Sequence, residues 1–184
     1  MLKHKFMTYE ELAKMAEECG FTHTAPLDIT TINLKQEVRD MCASGKCGMY
    51  DNCWSCPPGC GSLEECREKI NQYSGGILVQ TVGDLEDALD GEAMMETAHR
   101  HTENIDRMQD AILARGNEIL TLGAGACKLC AKCAYPDEPC RQPKKMHSSM
   151  EAFGMVVLEV CKANGLDYYY GSNHIAYTGC FLYK

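Results

Sequence analysis

Between residues 8 and 19 the apolar positions Leu12, Met15 and Ala16 fall on one stripe of a helix. Thr8 with Glu11 forms a capping box at its start, and Gly20 stops it. An extended segment is expected from Phe21 to Ile32, followed by a helical turn carrying Glu37, Val38 and Arg39 that leads into Cys42. Ser62 with Glu65 is a second capping box, opening a helix to about Tyr73, and "GGILVQTV" then reads as a buried strand. From Asp84 to Arg115 the pattern is helical, with Ala98, Ile105, Met108 and Ile112 on one face and Gly91 as a break. Gly116 ends that helix and "EILTL" reads as a strand. Ser148 and Glu151 suggest a third capping box, for a helix through Lys162, and the tail "LDYYYGSNHIAYTGCFLYK" predicts one or two final strands. Strand, helix and strand alternate through the second half. The expected fold is therefore α/β: one small sandwich over residues 1–184, a central sheet with flanking helices and two cysteine-rich metal loops. No internal repeat or low-complexity linker interrupts it.

Two stretches break the periodicity, and both are rich in cysteine. The first, Cys42 to Cys60, contains Gly45, Gly48, Pro57, Pro58 and Gly59; the second, Cys127 to Cys140, follows "LGAGA" and closes with Pro136, Pro139 and Pro143. Both are expected to be loops. The chain has 184 residues, enough to bury a core without covalent staples, so its 13 cysteines are surplus to stability. The opening "MLKHKFMTYEELAKMAEECGF" lacks the apolar run and cleavage site of a signal peptide. No stretch reaches the roughly 20 apolar residues of a membrane helix. A cytoplasmic protein with free thiols is the expectation, and cysteine in that setting points to metal or redox chemistry. A formal charge of −8 argues against a sequence-independent grip on nucleic acid and favours basic or cationic partners.

"CKLCAKC" places Cys127, Cys130 and Cys133 at i, i+3 and i+6, with Cys140 further on beside Pro139. Three close cysteines plus a distant one next to proline is the grammar of cubane iron-sulfur ligation, though the last interval is a variant and Cys140 could reach toward a second cluster. Zinc is the rival. Its thiolate sites usually come as two separated C-x2-C knuckles, whereas a third cysteine at i+6 suits the corners of a larger body. The first block offers Cys42, Cys47, Cys53, Cys56 and Cys60, more thiols than one site needs; Cys53 and Cys56 make a C-x2-C pair, and Pro57 follows Cys56.

These blocks resemble those of domain-of-unknown-function family 2284, predicted metal-binding proteins, over nearly the whole chain. The likeness rests on "CASGKCGMY", "WSCPP" and "GSLEEC" in the first block, and on "GAGACKLCAKCAYPDEPCRQP" and "SSMEAFGMVV" in the second. It implies metal-ligating, cofactor-binding roles for Cys42, Cys47 and Cys56 and for Cys127, Cys130, Cys133 and Cys140. Cys53, Cys60 and Cys66 stay open as a fourth ligand of the first set. A set of four thiolates suits electron relay, while a set of three leaves one iron open to a substrate. The expected function is an iron-sulfur protein with two 4Fe-4S-type clusters, acting in electron transfer or in reducing a small substrate as an anaerobic oxidoreductase. Its partner would be a redox protein or that small molecule. The alternatives are a non-redox cluster enzyme, for sulfur transfer or dehydration, and a zinc-bound structural or interaction module.

Other residues take plainer readings. Cys19, Cys161 and Cys180 are expected in the core. His99 and His101 are neighbours on a helix and are expected at its surface. His147 and His174 could serve acid-base chemistry, but nothing in the sequence positions them. "GAG" at 123–125 lacks the remainder of a dinucleotide fingerprint. Asp84, Glu86, Asp87, Asp90 and Glu92 read as a solvated helix start. Arg141, Lys144 and Lys145 form a basic spot beside the second block, offsetting cluster charge or lying in an ordinary solvated loop.

Overall fold

A computed structural model describes residues 7–184; the signal-peptide reading falls partly on residues 1–6, outside them. In chain order the elements are α1 (Tyr9–Cys19), β1 (His23–Leu27), a 3-10 turn (Ile29–Thr31), α2 (Gln36–Ala43), α3 (Leu63–Ile70), β2 (Gly75–Asp84), α4 (Gly91–Ala114), β3 (Ile119–Gly123), β4 (Ser148–Ser149), α5 (Val157–Ala163) and β5 (His174–Tyr183). The strands form one mixed sheet in the order β1-β2-β5-β3-β4. All neighbours are antiparallel except β3 and β4. The fold is α/β, as the alternation predicts.

Strand alternation sorts the core into two layers. Ile77 and Val79 of β2 and Phe181 of β5 turn toward α1 and α4, where they meet Leu12, Met15, Ile105, Met108 and Ile112. Leu78, Leu122, Cys180 and Leu182 turn the other way, onto Cys66 and Ile70 of α3, Val160 and Cys161 of α5 and the Met150–Met155 segment. Pro26 lies in β1 at the sheet's edge, where a strand tolerates a residue without an N–H. Among the described residues no helix is long and apolar enough to cross a membrane.

The capping boxes at Thr8/Glu11 and Ser62/Glu65 are both formed. The third is not. Ser148 and Ser149 pair with β3, the Ser149 hydroxyl accepts the Ala152 N–H, and the helix begins only at Val157. Gly154 separates the two segments. Its φ of +90° suits glycine, and a Cβ there would lie 2.6 Å from Leu63 Cδ1. α4 likewise starts later than its charge pattern suggests: Asp84 ends β2, Asp90 caps the helix by accepting the Ala93 N–H, and Gly91 is the first helical residue rather than a break. α2 extends beyond one turn and carries Cys42. The tail contributes one strand.

His101 corrects the surface reading of that pair. His99 is exposed beside Glu103, but His101 is fully buried against Phe21 and Tyr177, with Nδ1 3.0 Å from the Thr81 hydroxyl. Burial, with His147 nearby, holds it down to a pKa of about 3. The stripe formed by Ile105, Met108 and Ile112 continues toward the helix start through Thr97, His101 and Asn104, so polar residues occupy a buried face.

Candidate metal centre

Apart from Cys42, which lies on α2 and so corrects the loop expectation at that position, both cysteine stretches lie on connections. The first links α2 to α3, and the second spans from the end of β3 to β4. They interlock. The Ser55 hydroxyl accepts the Cys127 N–H at 3.0 Å, and the Trp54 indole N–H donates to the Glu138 carbonyl at 2.9 Å. Trp54 also meets the Tyr135 ring edge-on, and the Tyr135 hydroxyl donates to Asp51. Gly59 closes this seam: a Cβ there would stand 2.6 Å from the Cys53 carbonyl and 3.0 Å from the Tyr135 ring. Each loop contains one cis X-Pro bond, Pro57-Pro58 and Tyr135-Pro136.

Two adjoining cavities result. One, of about 460 Å3, is lined by Cys127, Cys130, Cys133 and Cys140 together with Cys53 of the other loop. The second, of about 700 Å3, is lined by Cys42, Cys47 and Cys56, with Tyr50, Glu37 and Glu151 also on its wall. Met49 borders both. Consecutive residues face opposite sides of the seam, Ser55 and Cys127 on the first cavity and Cys56 and Ala126 on the second. The structure thus places the seven cysteines expected as ligands on two cavity walls, four and three, with Cys53 beside the four. Among the described residues, no three His, Cys, Asp or Glu side chains stand close enough together to hold a metal ion. The thiols line walls and do not converge on a point.

The sulfur environments differ. Slight burial would raise the Cys133 thiol, but the N–H groups of Tyr135, Trp54 and Ala134, with the Arg141 charge, outweigh it and lower its pKa. Gln142 donates to Cys130 Sγ at 3.8 Å. Burial raises Cys127 and Cys42; it also raises Cys56, to about 12, helped by a hydrogen bond with Cys53. That contact joins the walls of the two cavities.

The remaining cysteines lie apart. Cys19, Cys161 and Cys180 are in the core. Cys60 and Cys66 line neither thiol cavity and share a buried cation instead: Arg39 Nη1 is 3.7 Å from each sulfur. The same guanidinium, 8% exposed, donates to the carbonyls of Ala152 and Gly61 at 2.6 Å. A hydrogen bond from Cys60 is the main reason the Cys66 thiol falls to about 7, while the same bond and burial push Cys60 up.

Elsewhere, His147 Nε2 is 3.3 Å from Asp106, with Nδ1 buried and unpartnered, and His174 is 3.3 Å from Asp84. Neither histidine lines a thiol cavity of the pair above. Of the basic spot, Arg141 lines the smaller cavity and donates to the Lys132 carbonyl, while Lys145 bridges to Asp110 on α4. In the sequence Arg39 stands only in the helical turn before Cys42, and Trp54, Ser55 and Gln142 only inside the motifs that carry the resemblance; their contacts are not readable there.

The fold and these cavities define a cysteine-rich α/β protein whose thirteen cysteines are all free thiols. The family assignment is more specific: a match over residues 25–183 places the chain in domain-of-unknown-function family 2284, predicted metal-binding proteins. No curated protein and no solved structure matches it.

Proposed function

We propose that this metal-binding protein is an iron-sulfur protein with two cubane-type clusters. Cys127, Cys130, Cys133 and Cys140 would hold one, and Cys42, Cys47 and Cys56 the other. The observation that supports the reading best is the gathering of five thiols from both loops around one cavity of about 460 Å3, more sulfur than a single four-coordinate zinc ion uses. When bound, such clusters supply one-electron chemistry, and an iron lacking a fourth thiolate supplies a Lewis acid.

The chain's own residues set the difference between the sites. N–H donors of Tyr135, Trp54 and Ala134 stabilise negative sulfur at Cys133, and Gln142 does so at Cys130, which favours the relay role there. The cavity beside Cys42, Cys47 and Cys56 is larger, at about 700 Å3, and offers Tyr50 and Met41 as apolar contacts with Glu37 and Glu151 as polar ones. That size suits a small-molecule substrate. Cys53 lines the other cavity and is hydrogen-bonded to Cys56, so it links the two walls. A net charge of −8 favours an electron partner that presents a basic face.

Mössbauer spectroscopy of protein grown on iron-57 and purified without oxygen tests this. The expected spectrum has two cubanes, one of them with a distinct iron that lacks a thiolate. Two fully thiolate-ligated cubanes would remove the open site, and an iron-free protein would remove the proposal.

A further inference from the structure

The edge of the sheet along β3 is covered at one end and open at the other. The Gly123 carbonyl accepts the Met150 N–H, so by the two-residue period of a strand Gly123, Thr121 and Ile119 turn their backbone groups away from β5. β4 covers this edge only at Leu122 and Gly123. Among the described residues the Ile119 N–H and C=O and the Thr121 N–H have no partner there, and such groups are a template for another strand. A third cavity, of about 930 Å3, lies off this edge. Ile119 and Thr121 line it from the α4 face of the sheet and Leu120 and Leu122 from the opposite face, which only a space beyond the strand's edge allows. Leu113 of α4 and Phe153 enclose it on the two sides. The Thr121 side chain on its wall is 6% exposed, and its hydroxyl has no hydrogen-bond partner.

We propose that this groove takes an extended, acidic segment of a partner polypeptide, which adds a strand to the five-stranded sheet beside β3. The backbone groups of Ile119 and Thr121 repeat at about 7 Å along the edge, the spacing that an extended chain matches. A helix cannot meet them, because its own N–H and C=O groups are already bonded to one another. Side chains of the added strand alternate between Leu113 on one side and Leu120 and Phe153 on the other, so apolar residues suit both. The charge at the groove sets the sign of the partner. Glu118 is held by Lys184 at 2.6 Å, which leaves Lys69 and Lys144 to attract carboxylates. A second copy of the chain does not fit, because its own β3 edge is recessed between the same walls. This reading does not rest on the clusters.

The probe is the peptide Glu-Val-Thr-Val-Glu, blocked at both ends and carrying a fluorophore, with binding to the full chain as purified read by fluorescence anisotropy. Saturable one-to-one binding is expected. The same peptide N-methylated at every amide keeps its side chains but cannot pair with a strand edge, and should bind about tenfold more weakly or worse. Ile119→Pro removes an outward N–H that the sheet itself does not use, and should lower affinity for the unmodified peptide about fivefold or more. Lys144→Glu should weaken it about threefold or more and strengthen binding of a Lys-flanked version. Circular dichroism checks that each variant is folded; if Ile119→Pro is not, the N-methylated peptide and Lys144→Glu decide. No saturable binding up to about 1 mM, equal binding of the N-methylated peptide, or full affinity in folded Ile119→Pro would overturn the proposal. So would a wild-type dimer that Ile119→Pro dissociates, since it would give the edge to a second copy.

Discussion

Replacing Arg39 with alanine removes the tie between α2, the end of the first cysteine loop and the Met150–Met155 segment. The side chain is 8% exposed, and its two strongest bonds, to the Ala152 and Gly61 carbonyls, are both 2.6 Å. Each buried carbonyl left without a donor costs about 1–3 kcal/mol. The methylenes lost from a packed site add to this, while relief of the buried charge, which pairs with no carboxylate among the described residues, subtracts from it. The net expectation is a loss of about 2–5 kcal/mol. Arg39→Lys keeps the charge but cannot reach two carbonyls with one planar fork, so it should lose about 1–3 kcal/mol. Anaerobic urea unfolding of chelator-treated protein, followed by circular dichroism, reads this directly. With a slope of about 2 kcal/mol per molar, the alanine variant's midpoint should fall by about 1–2.5 M at unchanged slope. A midpoint within about 0.2 M of wild type would refute the claim that this guanidinium holds the loop in place.

Three further outcomes follow from the geometry. Ser55→Ala removes the acceptor of the Cys127 N–H from a fully buried position, so it should cost about 1–2 kcal/mol and weaken metal retention at the Cys127–Cys140 cavity more than at the other, as metal content after graded chelation would show. Gly154→Ala places a Cβ 2.6 Å from Leu63 Cδ1 at a φ of +90°, and thermal unfolding should reveal a loss of about 1–3 kcal/mol. His101 has a folded pKa of about 3 against an ordinary 6.5, so between those values the unfolded chain binds the extra proton. Its contribution is complete above about pH 6.5 and is lost as pH falls toward 3, at about 1.4 kcal/mol per pH unit; His101→Gln should flatten the stability profile over that window.

Much of this architecture is written locally. Thr8/Glu11 and Ser62/Glu65 act through residues three apart, and the glycine- and proline-rich cysteine stretches are loops as their composition requires. Ser148/Glu151 carries the same letters and fails, because pairing of Ser148 and Ser149 with β3 and the left-handed turn at Gly154 override it. His101 is hidden for a related reason: polarity alone does not reveal that a helical face continues into the core. The grouping of Cys127, Cys130, Cys133 and Cys140 is suggested by spacing, since those residues are near in sequence. The placement of Cys53 is not, because it depends on contacts from Trp54 and Ser55 across more than seventy residues to the second loop. Arg39 is invisible for the same reason, with partners 21, 27 and 113 positions away.

The central claim is that the two thiol-lined cavities hold iron-sulfur clusters. Elemental analysis of anaerobically purified protein, with acid-labile sulfide measured on the same sample, tests it most directly. The account predicts about eight iron atoms and about eight sulfides per chain. Stoichiometric zinc with neither iron nor labile sulfide would contradict it.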